Sequence, residues 1–252
     1  MNHRLEGQAI LITGASGGIG TAIVERLAME GAKPIIHFCR DETRAKALLA
    51  SIGGRGLVVQ ADLSDPEGPY RLWQQALDAV GSIHGLVNNA GIRTEISIDA
   101  SPQDWRAAFQ KEFQVNFFAA ADLCKEAIGH FKAQGGGRIV NMVSRAGQRG
   151  YEANAMPYGA TKAALGNLTK SIARSFGADG VTAVAIAPGW VHTDMAEQFI
   201  VKHGKKAAVL DIPIGEIASP SEVAELVAFV LQRSQPSLNG ATIDINGGSY
   251  IR

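Results

Sequence analysis

The chain has 252 residues, with 24 Lys+Arg against 24 Asp+Glu for a formal net charge of zero, and 46% of it is hydrophobic. No long basic run advertises nucleic acid or an anionic membrane, and no apolar run approaches the roughly 18 residues of a membrane span. The start, MNHRLEGQAILITG, lacks a signal-peptide layout and Cys39 and Cys124 are far apart, so the expectation is a soluble cytoplasmic protein, built as one α/β domain over residues 1–252.

Gln8 to Thr13 (QAILIT) reads as a short apolar strand, and GASGGIG follows it directly, opening a helix that runs to about Met29. Strand, glycine turn and helix together form a phosphate-binding layout. Gly14 permits the tight turn, Gly18 lets backbone approach a pyrophosphate, and Gly20 allows close helix packing, while the helix N-terminus offers N–H groups and a positive dipole end. The spacing G-x-x-x-G-x-G departs from the common dinucleotide fingerprint G-x-G-x-x-G.

A second strand, Lys33 to Phe38, ends where an acid would grip the ribose 2′-hydroxyl of NAD. Phe38 and Cys39 stand there instead, followed by Arg40, which favours the 2′-phosphate of NADP unless Arg40 is a surface residue paired with Asp41 or Glu42. The alternation continues with a helix from Asp41 to Ile52, a strand from Gly56 to Ala61, Asp62-Leu63, a helix opened by Asp65-Pro66, and a strand from His84 to Asn88. Such alternation implies parallel βαβ units with right-handed crossovers. Asp62, at a strand's carboxyl end, could face an adenine ring or cap the next turn. Asn88-Asn89-Ala90-Gly91 stands at the same edge.

A long helix, capped by Ser101 with Pro102 after it, extends to about Lys132,. Asn116 lies inside it among apolar residues, an unfavourable place for an asparagine without a task. Arg138 to Leu168 then reads as buried strand, loop and helix, with Ser144 at the strand's end and Tyr158 and Lys162 four residues apart. That spacing puts phenol and ammonium on one helix face. Lowering the tyrosine from pKa about 10 to roughly 7 needs about 4 kcal/mol, which one ammonium about 4 Å away supplies at an effective dielectric of about 20. The pair could then deliver a proton to a substrate oxygen. A strand from Val181 to Ala187 closes in Pro188-Gly189-Trp190, residues 192–218 read as a less regular lid, Ser219 to Glu222 is a capping box, and Thr242 to Ile245 is the last strand.

Taken together, TGASGGIG at 13–20, Asn88-Asn89-Ala90-Gly91, Asn116, Ser144, Tyr158-Gly159-Ala160-Thr161-Lys162 and Pro188-Gly189 resemble the short-chain dehydrogenase/reductase family over essentially the whole chain. The C-terminal half is similar to its 3-oxoacyl-carrier-protein reductase group. The resemblance implies a doubly wound Rossmann fold, a seven-stranded parallel sheet with helices on both faces, and hydride transfer between NADPH and the carbonyl of a small-molecule substrate, a β-ketoacyl thioester or a small ketone. It makes Tyr158 the general acid and gives Lys162 the tasks of lowering its pKa and holding the nicotinamide ribose. Ser144 would bond the substrate oxygen, and Asn116 would hold a water linking Lys162 to solvent. Cofactor contacts would fall on Ser16 and Ile19, Asp62-Leu63, Asn89 to Gly91, and Pro188 to Thr193 including Gly189 and Val191. Helices 101–132 and 157–176 would pack into a homotetramer.

Three features depart from the family pattern. Ser144 and Tyr158 are 14 residues apart, one more than is common, so the loop at Gly147 to Ala155 must bulge; it helps to line the substrate pocket. Trp105 to Asn116 spans 11 residues, about four more than typical, close to one helical turn of 3.6 residues,. Carrier-protein reductases tend to present arginines before strands five and six, where this chain has AQGGG and GADG; an acidic carrier protein would find little positive charge there. The competing readings are an NAD-linked alcohol or sugar dehydrogenase and a nucleotide-binding regulator without chemistry. A metal enzyme is disfavoured, because His3, His37, His84, His130, His192 and His203 show no ligand spacing,.

Overall fold

Short runs of apolar, mostly β-branched residues separated by amphipathic segments can bury both faces of a sheet only if helices cover each side. In the computed structural model, which describes residues 4–252 and only the backbone of Met195, Gln198, His203 and Lys205, this is the arrangement. Seven parallel strands run in the order β3-β2-β1-β4-β5-β6-β7. They are β1 Ala9–Ile12, β2 Lys33–Phe38, β3 Leu57–Gln60, β4 Gly85–Asn88, β5 Gly137–Met142, β6 Val181–Pro188 and β7 Thr242–Ile245. The order reverses between β1 and β4, the crevice where open α/β sheets take ligands.

Alternate residues of each strand feed opposite cores. Ile10 and Ile12 of β1 pack with α1 (Gly18–Met29), α2 (Glu42–Ser51) and α10 (Pro220–Val230), which supply Ile23, Leu27, Leu48, Val223 and Val227. Ala9 and Leu11 face α3 (Gly68–Val80), α5 (Ala119–Ala133) and α7 (Met156–Phe176), with Trp73, Leu123, Phe131 and Ile172. A buried polar ladder crosses the second core: the Asn88 amide donates to Asn141 Oδ1 at 2.8 Å, and the Asn141 amide donates to Thr169 Oγ1 at 2.9 Å.

The structure corrects four element expectations. The helix expected from Ser101 to Lys132 is α4 (Pro102–Phe113), then a π-helical segment Gln114–Phe118, then α5. A π turn holds one extra residue, and here it turns Asn116 inward, only 1% exposed,. Trp105 lies within α4, so the extra spacing before Asn116 is helical. Lid residues 192–218 contain two helices, α8 (Asp194–His203) and α9 (Lys205–Val209), organised around their own apolar cluster of Ala208, Ile212 and Ile217. The third helix starts at Gly68 rather than at Asp65, because Asp65 instead accepts from the Glu67 N–H in a turn. The loop after β5, expected to bulge between Gly147 and Ala155, is instead a short helix α6 (Ala146–Arg149) and a 3₁₀ turn Ala153–Ala155, and α7 begins at Met156. His3 and the side chain of His203 lie outside the described residues; among those described, no cluster of His, Cys, Asp and Glu could hold a metal ion.

Candidate active site

The glycine turn is built to leave space. Gly14 sits at φ 61°, and a Cβ there would meet Ala90 Cα at 2.9 Å. A Cβ on Gly20 would lie 2.3 Å from Gly14 O, and one on Gly18 would lie 3.0 Å from Thr193 Cγ2. The N-cap of α1, Gly17, offers no side-chain cap, and no acidic residue stands in the first turn. Backbone N–H groups and the dipole of α1 thus face the crevice without a carboxylate, which suits a pyrophosphate.

Three side chains fix this turn. Asn89 Nδ2 donates to the carbonyls of Thr13 (2.9 Å) and Gly14 (3.2 Å), and Thr13 Oγ1 accepts from the backbone N–H of both Asn89 and Ala90 at 3.0 Å. His37, which the sequence showed only as one of six histidines without ligand spacing, accepts from the Gly14 N–H at Nδ1 (2.9 Å) while Nε2 meets Ala61 O at 3.1 Å. Burial pushes its imidazole down to about 4, so it is neutral at pH 7 and has one donor and one acceptor for those two partners,. The signal available in the sequence was a lone histidine inside the otherwise apolar strand KPIIHF.

A cavity of about 750 Å³ runs from this turn to the end of β5. Its wall includes Gly14, Ser16, Gly18, Ile19, Gly20, Arg40, Asp62, Leu63, Asn89, Ala90, Gly91, Ser144, Tyr158, Lys162, Pro188, Gly189, Val191 and Thr193, so the expected contact residues converge on one space. Asn116 stands behind the wall: its carbonyl accepts from the Ile92 N–H (2.8 Å) and its amide donates to Ile92 O (2.9 Å). Asp62 does cap a turn, accepting from the Ser64 N–H at 2.9 Å, and still reaches the cavity. Arg40 makes no ion pair with its acidic neighbours among the described residues. Asp41 caps α2 through the Arg44 N–H (2.8 Å), and Glu42 pairs with Lys46 (2.8 Å).

Electrostatics at the other end run against the simple expectation for the tyrosine. Lys162 Nζ lies 5.7 Å from the centroid of the Tyr158 ring, over its face, and donates to Met142 O at 2.8 Å. Burial therefore dominates and pushes the Tyr158 phenol up to about 12, with the Ser144 hydrogen bond pulling the other way. The value of roughly 7 expected from the pair alone is not reached. Burial also pushes Lys162 down to about 8, against the nearby Glu112 carboxylate, which raises it. Glu112 itself is fully buried, accepts from Asn116 Nδ2 at 3.4 Å and is raised above the usual carboxylate range, chiefly by burial. The sequence reading missed this acid, because one Glu inside α4 looks like any surface residue of a helix.

A family model described as enoyl-(acyl carrier protein) reductase matches residues 14–250. The chain is 33% identical to the 3-oxoacyl-acyl-carrier-protein reductase FabG of Vibrio cholerae over 248 residues, covering 98% of this chain and 99% of that protein. It is 32% identical to the Escherichia coli FabG, covering 98% of each. Among solved structures it is similar to a short-chain dehydrogenase from Burkholderia cenocepacia in complex with NADP, with a TM-score of 0.88 and 34% identity over 98% of this chain and 99% of that one. A dehydrogenase/reductase from Sinorhizobium meliloti superposes with a TM-score of 0.90 at 31% identity, over 99% and 98%. Sheet order, glycine cradle and full-length similarity agree: the chain belongs to the short-chain dehydrogenase/reductase family of oxidoreductases.

Proposed function

We propose that this chain is an NADPH-dependent reductase that turns the carbonyl of a small molecule into an alcohol. The observation that carries the reading is the meeting of Ser144, Tyr158 and Lys162 at one end of a cavity whose other end is the glycine cradle. NADPH would supply the hydride. Gly14, Ser16, Gly18, Ile19 and Gly20 would hold its pyrophosphate, Arg40 the 2′-phosphate, Asp62 and Leu63 the adenine, and Asn89 to Gly91 the ribose. Pro188, Gly189, Val191 and Thr193 would lie around the nicotinamide.

Ser144 and Tyr158 bond the substrate oxygen, and Tyr158 hands it a proton. Lys162 holds the nicotinamide ribose and adds positive charge beneath the phenol. Asn116 anchors the Ile92 backbone and holds the water that connects Lys162 to solvent. The same single domain, residues 1–252, carries cofactor and chemistry, in the cytoplasm and as a homotetramer packed through α4–α5 and α7. Support for that packing comes from Phe118, half exposed beside Phe113 and Phe117. No helix among the described residues is long and apolar enough to cross a membrane.

The acyl carrier protein of the FabG relatives is not carried over. Between the stretches before β5 and β6, the nearby cation Lys132 is already paired with Asp179 at 3.0 Å. NADPH oxidation against acetoacetyl-CoA, small diketones, cyclic ketones and keto-sugars tests the reading, and turnover of none of them would end it.

Two substitutions probe the cofactor half. Arg40→Ala is expected to raise the NADPH KM by about 10- to 100-fold, the worth of one charge-assisted contact, while the NADH KM stays nearly constant; equal changes in steady-state assays would remove Arg40 from the phosphate. Gly20→Ala drives a methyl group into the Gly14 carbonyl and Ala15 Cα, at 2.3 and 2.7 Å. Overpacking of this kind costs about 1–3 kcal/mol, so a lowered Tm and weaker NADPH binding by fluorescence titration are expected together.

A further inference from the structure

Five buried side-chain polar atoms among the described residues have no hydrogen-bond partner, and two are guanidinium nitrogens: Nε of Arg93 and Nη1 of Arg145. One aromatic ring, Tyr151, packs against the first and shares the cavity wall with the second. Arg93 lies over the face of Tyr151, 5.5 Å from its centroid, and Tyr151 lies 5.8 Å from the Tyr158 ring. Arg145 follows Ser144 directly, is 3% exposed and lines the cavity together with Tyr151. Guanidinium groups are rarely taken out of water without an oxygen acceptor for each N–H direction, because an unmet donor costs its full desolvation.

Arg145 does have a protein carboxylate nearby, but it is shared. Asp211, from the segment after α9, takes Arg149 Nη2 at 2.7 Å and meets Arg145 only at 3.2 to 3.4 Å, with Nη1 outside hydrogen-bonding geometry. Two guanidiniums on one half-exposed carboxylate leave an excess positive charge, and the buried member of the pair is the one at the cavity wall. Arg93 is held outside by Glu95 (3.0 Å) and Glu152 (3.4 Å) through its two terminal nitrogens.

We propose that the substrate carries an anionic oxygen group, a carboxylate or a phosphate monoester, a few bonds from its reacting carbonyl, and that Arg145 binds this anion beside Tyr151. This deepens the reductase reading above and rests on it. Arg145 and Ser144 are consecutive and line one cavity, so an anion on Arg145 lies within one side chain's reach of the carbonyl site, as a short oxo acid requires. The planar guanidinium fork matches a carboxylate in a way that a lysine would not.

The test compares kcat/KM with NADPH for acetoacetate against methyl acetoacetate, and for dihydroxyacetone phosphate against dihydroxyacetone. A preference of about 100-fold for one anionic member is expected, and the pair showing it identifies carboxylate or phosphate. Arg145→Met should collapse that ratio towards one, and Arg145→Lys should restore it only in part. The wild-type protein provides a second reading that needs no variant: butyrate or inorganic phosphate should compete with a neutral ketone, and butyramide should not. Neutral ketones reduced as fast as their anionic partners, with no competition by either anion, would overturn the anion site while leaving the reductase reading intact. Absence of any NADPH-linked turnover would overturn the reductase reading itself.

Discussion

Tyr158→Phe is expected to lower kcat by about 100- to 10,000-fold, the usual contribution of a positioned general acid, with the NADPH Kd changed by no more than about twofold. The substitution removes one oxygen from the cavity wall and leaves the glycine cradle, His37 and Asn89 untouched. Because burial holds the phenol near 12, the proton to be donated is present throughout the neutral range, so carbonyl reduction finds its acid already charged with a proton. Alcohol oxidation needs the ionised phenol, and its rate in the wild type should therefore climb as pH rises towards that value. Single-turnover NADPH oxidation together with fluorescence titration separates the outcomes: loss of both turnover and binding would mark Tyr158 as structural, and loss of neither would favour a regulator that binds nucleotide without reacting it.

Lys162→Met should remove turnover almost as completely, weaken NADPH binding through the lost ribose contact, and yet act oppositely on stability. The ammonium is buried, and burial lowers it from 10.5 to about 8. Between pH 8 and 10.5 the unfolded chain thus holds more protons than the folded one, so wild-type stability rises with pH across that window and the full cost of the buried charge is present below it. That cost is on the order of 3 kcal/mol, offset in the variant by about 1–3 kcal/mol for the Met142 carbonyl left without its donor. Relative to the wild type, the variant should be at its best below pH 8 and lose that advantage steadily up to pH 10.5. Urea midpoints of the two proteins at four or five pH values check this, and parallel curves would mean that Lys162 titrates alike folded and unfolded.

The disagreement over Tyr158 shows what spacing can and cannot deliver. Tyr158 and Lys162 do share a face of α7, as the i,i+4 interval requires. Their interaction depends on where Nζ ends, and that is set by the Met142 carbonyl on β5 and by the packing of α7 against the sheet. Direction of charge, depth of burial and the identity of the third partner are properties of contacts between segments far apart in the chain. Glu112 and Arg145 are of the same kind: the buried acid accepts from the Thr94 N–H and from Asn116 of the π turn, and the buried base pairs with Asp211 from 66 residues away.

By itself the sequence determined the alternation of strand and helix, the parallel seven-stranded sheet, the glycine turn and the residues that would stand along the crevice. The alternation and the glycine turn follow from local backbone freedom, capping chemistry and hydrophobic period, each written within a few consecutive residues; the seven-stranded sheet and most of the crevice residues follow from the family resemblance those motifs carry. Only the tertiary structure decided the π turn in the long helix, the two helices of the lid, the clamp of His37 on Gly14 and the raised Tyr158 phenol. Each of those depends on how much water is excluded and on which distant group fills a hydrogen bond, and both are settled only when the layers close on one another.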